Sequence, residues 1–318
     1  MATSNLRAAD AHSAVPLLGR LIEALEGIII GKSVQLRLAA ACLLARGHLL
    51  IEDLPGVGKT TLAHALARAL GLSYQRIQFT SDLLPADVIG VSVFNRGQGR
   101  FEFHKGPLFA QLLLADEINR ATPKAQSALL EAMEERQVTA DGKTYALPAP
   151  FFVVATRNPA NQIGTFPLPE SQLDRFLMQI SLGYPQPQDE RRLLAGGERR
   201  SLVERLEAVL SVDALLRLQE EVPRIHVAEP LLDYVQALIA YTRVTGYFAA
   251  GLSPRAGLAL IRAAQAWALI GGHAGVHPED VQAVFPSVAA HRLEPSAGSE
   301  LAASEDVGRA ILEAVAVP

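Results

Sequence analysis

The chain has 318 residues and a formal net charge of −4; 49% of its residues are hydrophobic and 19% are charged. This balance excludes a largely disordered chain, and it provides no overall positive charge that would attract nucleic acid or an anionic membrane. The single cysteine, Cys42, excludes an intrachain disulfide framework and a thiolate zinc site. No apolar run approaches the length of a membrane span, so we expect a soluble, cytoplasmic protein of about two domains.

Strand-like and helix-like segments alternate through the first half of the chain. Residues 1–16 are polar and alanine-rich and are predicted to form a flexible leader, and apolar spacing predicts helix from Leu17 to Gly47. Short apolar runs with turn or helix signals after them predict five strands: His48–Ile51, Tyr74–Phe79, Gln111–Ala115, Phe151–Thr156 and Leu177–Leu182. The alternation predicts an α/β core over residues 17–184 with a buried, largely parallel sheet.

Two segments interrupt this alternation and are predicted to be β-hairpins inserted in the core. In the first, Val91–Phe94 and Arg100–His104 flank a glycine-containing turn. In the second, Gln137–Ala140 and Thr144–Leu147 flank Asp141-Gly142-Lys143, and Asp-Gly is a strong signal for a tight hairpin turn.

The composition changes after Gly183, where a proline-rich connector begins. The segments that follow have helical periodicity, and the predicted helices are Asp189–Leu194, Val212–Val222, Ala228–Thr245, Pro254–Ile270 and Pro278–Arg292. Residues 185–318 are therefore predicted to form a second, all-helical domain.

A glycine-rich turn between the first strand and the next helix has the features of a phosphate-binding loop. Its residues are Pro55, Gly56, Val57, Gly58, Lys59, Thr60 and Thr61. The glycines let backbone N–H groups face phosphate oxygens at a helix N-terminus, Lys59 would reach the β- and γ-phosphates, and Thr60 would bind Mg²⁺. The usual pattern has a glycine at position 53, where this chain has Asp53. A tight turn with an incidental lysine is the alternative.

Two acids end the predicted strand Gln111–Ala115. Asp116 and Glu117 would lie at the same sheet edge as the glycine-rich loop. Asp116 would hold Mg²⁺ through water, and Glu117 would polarise the water that attacks the γ-phosphate of ATP. The alternative is a strand end with solvated acids.

Three motifs resemble the MoxR family of AAA+ ATPases over about Ile30 to Arg262. They are Asp116–Ala121 with Gln126–Met133, then Ala155–Pro159, and Gly164–Phe176. The resemblance implies a five-stranded AAA+ core in the order 5-1-4-3-2, a helical lid and a hexameric ring with ATP at subunit interfaces. It also implies a client protein, often with a von Willebrand factor A domain partner.

The resemblance assigns further roles by position. Asn158 matches the sensor-1 residue, Arg175 the arginine finger, and Arg255 the sensor-2 residue, acting on the nucleotide of its own subunit or of a neighbour. Ile30 and Gly31 lie where relatives contact adenine. Each position also has a simpler interpretation. In that case Asn158 is a turn residue, Arg175 forms an ion pair with Asp174 or Glu170, Arg255 faces solvent, and Ile30 and Gly31 pack in the core. Weaker candidates for contact with a neighbour are Arg120, Arg136 and Arg157.

These observations favour Mg²⁺-dependent ATP hydrolysis by a ring that remodels or matures protein complexes. A nucleic-acid motor of the same helix-2-insert group is an alternative, supported only by basic residues near the hairpin tips. A chelatase-like subunit for metal insertion and a nucleotide switch that does not hydrolyse ATP are further alternatives, although Glu117 argues against the switch.

Overall fold

The computed structural model describes residues 15–158, 166, 168–196, 199–296 and 306–317. Most of the predicted leader, residues 1–14, and part of the third motif, residues 164, 165 and 167, lie outside them. The strands are β1 Leu49–Glu52, β2 Tyr74–Gln78, β3 Gly90–Asn95, β4 Arg100–Lys105, β5 Leu112–Asp116, β6 Gln137–Ala140, β7 Lys143–Ala146, β8 Phe152–Arg157 and β9 Met178–Ile180. The helices are α1 15–26, α2 Ser33–Leu44, α3 Lys59–Ala69, α4 Pro85–Ile89, α5 Pro123–Glu135, α6 Glu170–Leu173, α7 Pro187–Ala195, α8 Arg199–Arg205, α9 Val212–Glu221, α10 Glu229–Val244, α11 Pro254–Gly271, α12 Pro278–Ala289 and α13 Val307–Ala314.

The central sheet has five parallel strands in the order β2-β5-β8-β1-β9. If these five strands are renumbered 1 to 5 along the chain, their order read from β9 to β2 is 5-1-4-3-2. This is the predicted order, so the predicted fold is confirmed. Because all the strands run the same way, the loops that follow β1, β5 and β8 meet at one edge.

Both faces of the sheet are covered, and alternate strand residues enter different cores. Leu49 and Ile51 join the core that contains α1–α3 and most of the C-terminal helices, whereas Leu50 joins the core that contains α4 and α5. β5 is divided in the same way. The period-2 geometry of a strand explains why these continuous apolar runs are buried on both sides.

The helix predicted from Leu17 to Gly47 is instead two helices, α1 and α2, separated by a turn. Gly31 in that turn has a positive φ of 71°. A Cβ at this position would also overlap a carboxylate oxygen of Asp189, at the start of α7. Apolar spacing continues through the turn because Ile28, Ile29 and Ile30 are buried there, so periodicity alone does not reveal the break. Residues 15 and 16, predicted to belong to the leader, are helical.

Both predicted hairpins are present, and aromatic rings connect them. β3 pairs antiparallel with β4, and β6 pairs antiparallel with β7 through a turn in which Asp141 and Gly142 both have positive φ. The ring of Phe103 on β4 stacks on that of Tyr145 on β7, with 4.5 Å between ring centroids. The two hairpins are therefore in contact through these aromatic side chains.

The C-terminal helices pack on the first helices as well as on one another. α11 packs on α12 and on α2, and Gln219 of α9 donates a hydrogen bond of 2.8 Å to the backbone oxygen of Leu43. Two of these helices, α8 and α13, have no counterpart among the predicted elements. Among the residues that the structure covers, none of the helices has the length and apolar character needed to cross a membrane.

The buried His48 predicts that the protein loses stability in mild acid. Its Nδ1 accepts a hydrogen bond from the Val153 N–H (3.0 Å), and its Nε2 donates to the Met133 carbonyl (3.2 Å). Burial, assisted by the charge of Arg136, lowers the pKa of His48 from 6.5 to about 4. As the pH falls, His48 is therefore protonated in the unfolded chain before it is protonated in the folded protein. Its contribution to the free energy of unfolding is complete above pH 6.5 and is lost as the pH falls toward 4.

We expect this histidine alone to reduce the free energy of unfolding by about 2 kcal/mol between pH 7 and pH 5. Chemical denaturation at several pH values measures the slope. The variant His48→Gln should flatten it, whereas His104→Gln, at an exposed site on β4, should not. Equal slopes for the wild type and His48→Gln would contradict the prediction.

Candidate functional site

The glycine-rich loop lies between β1 and the N-terminus of α3, as the sequence predicts. Gly56 and Gly58 have positive φ values of 86° and 100°, and a Cβ on either would meet no atom within 4 Å. The loop residues Gly56 and Gly58, with Lys59 and Thr60 at the start of α3, line one cavity. Such a concave loop at a helix N-terminus fits a phosphate group.

Lys59 begins α3 and is almost fully buried. Its Nζ donates hydrogen bonds to the backbone oxygens of Asp53 (2.7 Å) and Leu54 (2.9 Å). Burial lowers the pKa of Lys59, and the carboxylates of Asp53, Asp116 and Glu117 act in the opposite direction. The ammonium group is thus held at the base of the loop.

Asp53, which replaces the usual glycine, connects the loop to the end of the sheet. Its Oδ2 accepts hydrogen bonds from the N–H groups of Leu182 (2.6 Å) and Gly183 (2.7 Å) and from the Ser181 hydroxyl (3.1 Å). Its Oδ1 accepts from the Leu54 N–H at 2.8 Å. The departure from the usual pattern therefore fastens the base of the loop to the segment that leads into α7. No local sequence signal reveals these contacts.

Replacing Asp53 with alanine should lower the free energy of unfolding by about 2 kcal/mol, because the buried N–H of Leu182 and the partly buried N–H of Gly183 lose their acceptor. Urea denaturation at a fixed protein concentration measures this change. The exposed Asp233 on α10 provides the control, and Asp233→Ala should leave the midpoint unchanged. Equal midpoints for Asp53→Ala and the wild type would show that the contacts do not stabilise the loop.

Asp116 ends β5 with both carboxylate oxygens engaged. Oδ1 accepts a hydrogen bond of 2.6 Å from the Thr156 hydroxyl, and Oδ2 lies 2.7 Å from Nη2 of Arg76 on β2. Arg76 is a neighbour that sequence reasoning missed, because it comes from a strand 40 residues away that pairs beside β5.

Glu117 follows in the left-handed region, with φ 55°, and its carboxylate has three partners. Oε1 accepts a hydrogen bond of 3.1 Å from Nδ2 of Asn158. Oε2 accepts one of 2.7 Å from Nε2 of Gln78 and lies 3.1 Å from Nε of Arg120. The Glu117 N–H donates to the Thr156 hydroxyl at 2.8 Å. The side chain is therefore held by the last residue of β2, by the residue that follows β8 and by the turn that follows β5.

Glu117, Asp116 and the glycine-rich loop line one cavity of about 340 Å³, the nucleotide cavity. It is lined by Pro55, Gly56, Gly58, Lys59, Thr60, Thr61, Arg76, Asp116, Glu117 and Asn158. Val57 packs against the core instead, and Ile30 and Gly31 are not among the lining residues. A hydroxyl and a carboxylate beside a phosphate loop are the oxygen ligands that Mg²⁺ prefers, so Thr60 and Asp116 fit this ion.

A second cleft, of about 410 Å³, lies at the other end of β1, beside His48. Six arginines line it: Arg46, Arg136, Arg175, Arg255, Arg262 and Arg292. Glu134 at the end of α5 faces two of them, with Oε2 lying 3.2 Å from Nε of Arg175 and Oε1 lying 3.2 Å from Nη1 of Arg255. The ion-pair partner of Arg175 is thus Glu134 rather than Asp174 or Glu170.

This arginine cleft, the space around Arg175 and Arg255, is well separated from the phosphate loop. The two cavities have no lining residue in common. His48 precedes β1 and Lys59 follows it, and a four-residue strand alone spans about 13 Å. Arg175 and Arg255, predicted from two different motifs, therefore lie together and away from the phosphate loop of their own chain.

The three weaker candidates have different surroundings. Arg120 lies 3.1 Å from the carboxylate of Glu117, which lines the nucleotide cavity. Arg136 lines the arginine cleft and donates a hydrogen bond of 2.9 Å to the backbone oxygen of Arg46. Arg157 forms an ion pair of 2.6 Å with Glu52.

Comparisons with known proteins agree with this geometry. Residues 48–178 match the family described as "ATPase family associated with various cellular activities (AAA)", and residues 240–311 match the AAA lid domain. The chain is 41% identical to chaperone MoxR1 of Mycobacterium tuberculosis, over 98% of this chain and 84% of that protein. It is 34% identical to protein MoxR of Methylorubrum extorquens, over 91% and 92% of the two chains. A crystal structure from Cytophaga hutchinsonii, provisionally described as an ATPase, superposes with a TM-score of 0.86 at 33% identity, covering 99% and 98%. These relatives do not favour the nucleic-acid motor or the chelatase-like subunit.

Proposed function

This chain belongs to the MoxR family of AAA+ ATPases, and from that premise we propose that it remodels protein complexes as a ring whose Mg²⁺-dependent ATPase sites are shared between subunits. The relative from Mycobacterium tuberculosis is named a chaperone, which supports a protein client. In this proposal residues 17–184 form the nucleotide-binding core, residues 185–318 form the lid, and the ring is hexameric.

The observation that carries the proposal is the position of the arginine cleft. Arg175 and Arg255 lie together at the end of the sheet opposite Lys59, so neither can complete the site of its own chain in this arrangement. The half-exposed carboxylate of Glu134 balances both guanidinium groups. A neighbouring subunit whose phosphate loop faces this cleft would bring the γ-phosphate to both arginines. Arg255 would then act on the neighbour's nucleotide.

The residues of the nucleotide cavity would divide the remaining work. Lys59 and the N–H groups of the loop bind the phosphates, with Thr60 and Asp116 at the ion. When bound, Mg²⁺ neutralises charge on the β- and γ-phosphates. Glu117 accepts a hydrogen bond from the attacking water and polarises it, and Asn158 holds the Glu117 carboxylate in position.

The hairpin of β3 and β4 is the candidate contact for a client. Phe94 and Phe101 face each other across its tip with 5.2 Å between ring centroids, and Phe101 is 71% exposed. Val91 and Val93 add exposed apolar surface on the same hairpin. Apolar side chains at an exposed hairpin tip suit contact with a polypeptide. In this proposal a von Willebrand factor A domain protein accompanies the client.

Mixing two variants tests the shared site. Lys59→Ala has an intact arginine cleft and Arg175→Ala has an intact phosphate loop, so each is expected to be inactive alone. In random mixed rings about a quarter of the interfaces combine two intact halves, which should restore about a quarter of the wild-type ATPase rate. Failure of the mixture to exceed the separate variants, although mixed rings form, would refute the shared site.

The client part of the proposal has its own test. The Glu117→Gln variant, incubated with ATP and its native extract, should retain the engaged client, and this client should be lost when Phe94 and Phe101 are also replaced by serine. Recovery of the ATPase alone would contradict remodelling of a protein client.

A further inference from the structure

Two histidines and an aspartate come together in the turn between α11 and α12, away from the nucleotide cavity and the arginine cleft. One possible ligand atom from each of His273, His277 and Asp280 can be chosen so that all three lie within 4.8 Å of one another. Nδ1 of His273 lies 3.1 Å and 3.0 Å from the two carboxylate oxygens of Asp280. The two imidazole rings are 4.6 Å apart between centroids.

The backbone holds this histidine–aspartate cluster in place. Gly272, with φ 75°, ends α11, and the N–H of His273 then donates to the carbonyl of Ala268 at 2.9 Å. At the other side, the N–H of His277 donates to Oδ2 of Asp280 at 2.8 Å. The carboxylate is buried, whereas His277 is exposed. Hydrogen bonds of the main-chain N–H groups therefore hold the backbone of His273 and His277 beside Asp280.

The glycine before the turn leaves room for one of the rings. A Cβ at Gly271 would lie 3.2 Å from Cε1 and Nε2 of His273, which is closer than ordinary van der Waals contact. Glycine at this position therefore allows the imidazole to lie over the end of α11 and face Asp280.

We propose that His273, His277 and Asp280 bind one divalent transition-metal ion, with Zn²⁺ as the best match, and that the ion fastens the end of α11 to the start of α12. Two imidazole nitrogens and one carboxylate oxygen are ligands for such ions, not for Mg²⁺, which prefers oxygen alone. Two ligand atoms on one tetrahedral zinc ion are separated by about 3.4 Å, so the His273–Asp280 pair needs only a small adjustment. Three protein ligands leave one position for water.

The rival interpretation is that Asp280 simply caps α12 and forms a hydrogen bond with His273. The two interpretations differ at His277, because its side chain is needed for the metal, whereas only its backbone N–H is needed for the cap. The variant His277→Ala therefore removes a ligand and keeps the cap. His104→Ala, at an exposed histidine on β4, is the matched control.

The experiment uses the full-length protein, freed of any histidine tag and treated with chelator, without nucleotide. Calorimetric titration with ZnCl₂ should give one equivalent for the wild type and His104→Ala, and an affinity at least tenfold lower for His277→Ala and His273→Ala. Saturating Zn²⁺ should raise the melting temperature of the first two proteins only. Titration with Co²⁺ should give a visible spectrum without a thiolate band, since the single cysteine, Cys42, is buried.

Zinc uptake by His277→Ala equal to that of the wild type would overturn the proposal and support the rival interpretation. So would the absence of zinc uptake by the wild type. Either result is independent of the shared ATPase site, because no nucleotide is present.

Discussion

Replacing Glu117 with glutamine is expected to slow ATP hydrolysis by a factor of about 10²–10⁴ while ATP binding is retained. The glutamine amide has nearly the same shape but cannot draw a proton from water. The phosphate loop and Lys59 are unchanged, so the affinity for nucleotide should not fall. The loss should therefore be in the rate at saturating ATP rather than in the KM.

The contacts of Glu117 make this substitution informative. Asn158 donates an amide N–H to Oε1 of Glu117, whereas Gln78 donates to Oε2, beside which Arg120 also lies. A glutamine at 117 can accept these hydrogen bonds with one oxygen only, and its NH₂ group must face the other donor. Phosphate release measures turnover, and a fluorescent ATP analogue measures binding. Glu131→Gln, on the exposed face of α5, is the matched control and should match the wild type.

Turnover by Glu117→Gln within threefold of the wild type would remove Glu117 from its proposed role. Loss of nucleotide binding would show instead that the side chain supports the phosphate loop. Both outcomes differ from the failure of the mixing experiment, which concerns Arg175.

Local chemistry made part of this site predictable. Signals that span only a few residues predict the turn at Gly56 and Gly58 and the helix after it. The same holds for the acids at the end of a buried apolar strand, and all three features are where the sequence predicts them. The strand order was predicted only through the resemblance, because apolar runs carry no information about which strands are neighbours.

Contacts between distant segments were not predictable from the same signals. Gln78 reaches Glu117, and Asp53 reaches Leu182, only because parallel pairing brings separate strand ends together. The sequence favours Arg175 and Arg255 as separate functional residues, but no local pattern indicates that both contact the carboxylate of Glu134 on α5. Such pairs depend on how distant segments pack together, which no local pattern encodes.

The second large effect is expected at Asp174, the counter-charge of a buried arginine. Arg292 follows α12, and its side chain is only 5% exposed. Its Nε donates a hydrogen bond of 2.6 Å to Oδ1 of Asp174, and its other nitrogens donate to backbone oxygens that include those of Phe176 and Leu177. Burial lowers the pKa of Arg292, while the hydrogen bond and the charge of Asp174 act against this. One guanidinium thus joins the C-terminal helices to the segment before β9.

Asp174→Asn should lower the free energy of unfolding by about 3–5 kcal/mol, because the isosteric amide leaves the Arg292 charge buried without a counter-charge. Urea denaturation at a fixed protein concentration measures this loss, and Asp233→Asn, exposed on α10, should change it by less than about 0.5 kcal/mol. The single variant Arg292→Met and its combination with Asp174→Asn complete a double-mutant cycle. If the pair stabilises the fold through its charges, Asp174→Asn should lower the free energy of unfolding much less in the Arg292→Met background than in the wild type. An equal loss of unfolding free energy in both backgrounds would mean that Asp174 stabilises the fold through Arg255 or through its own backbone. Arg292 would then be held by the backbone carbonyl oxygens alone.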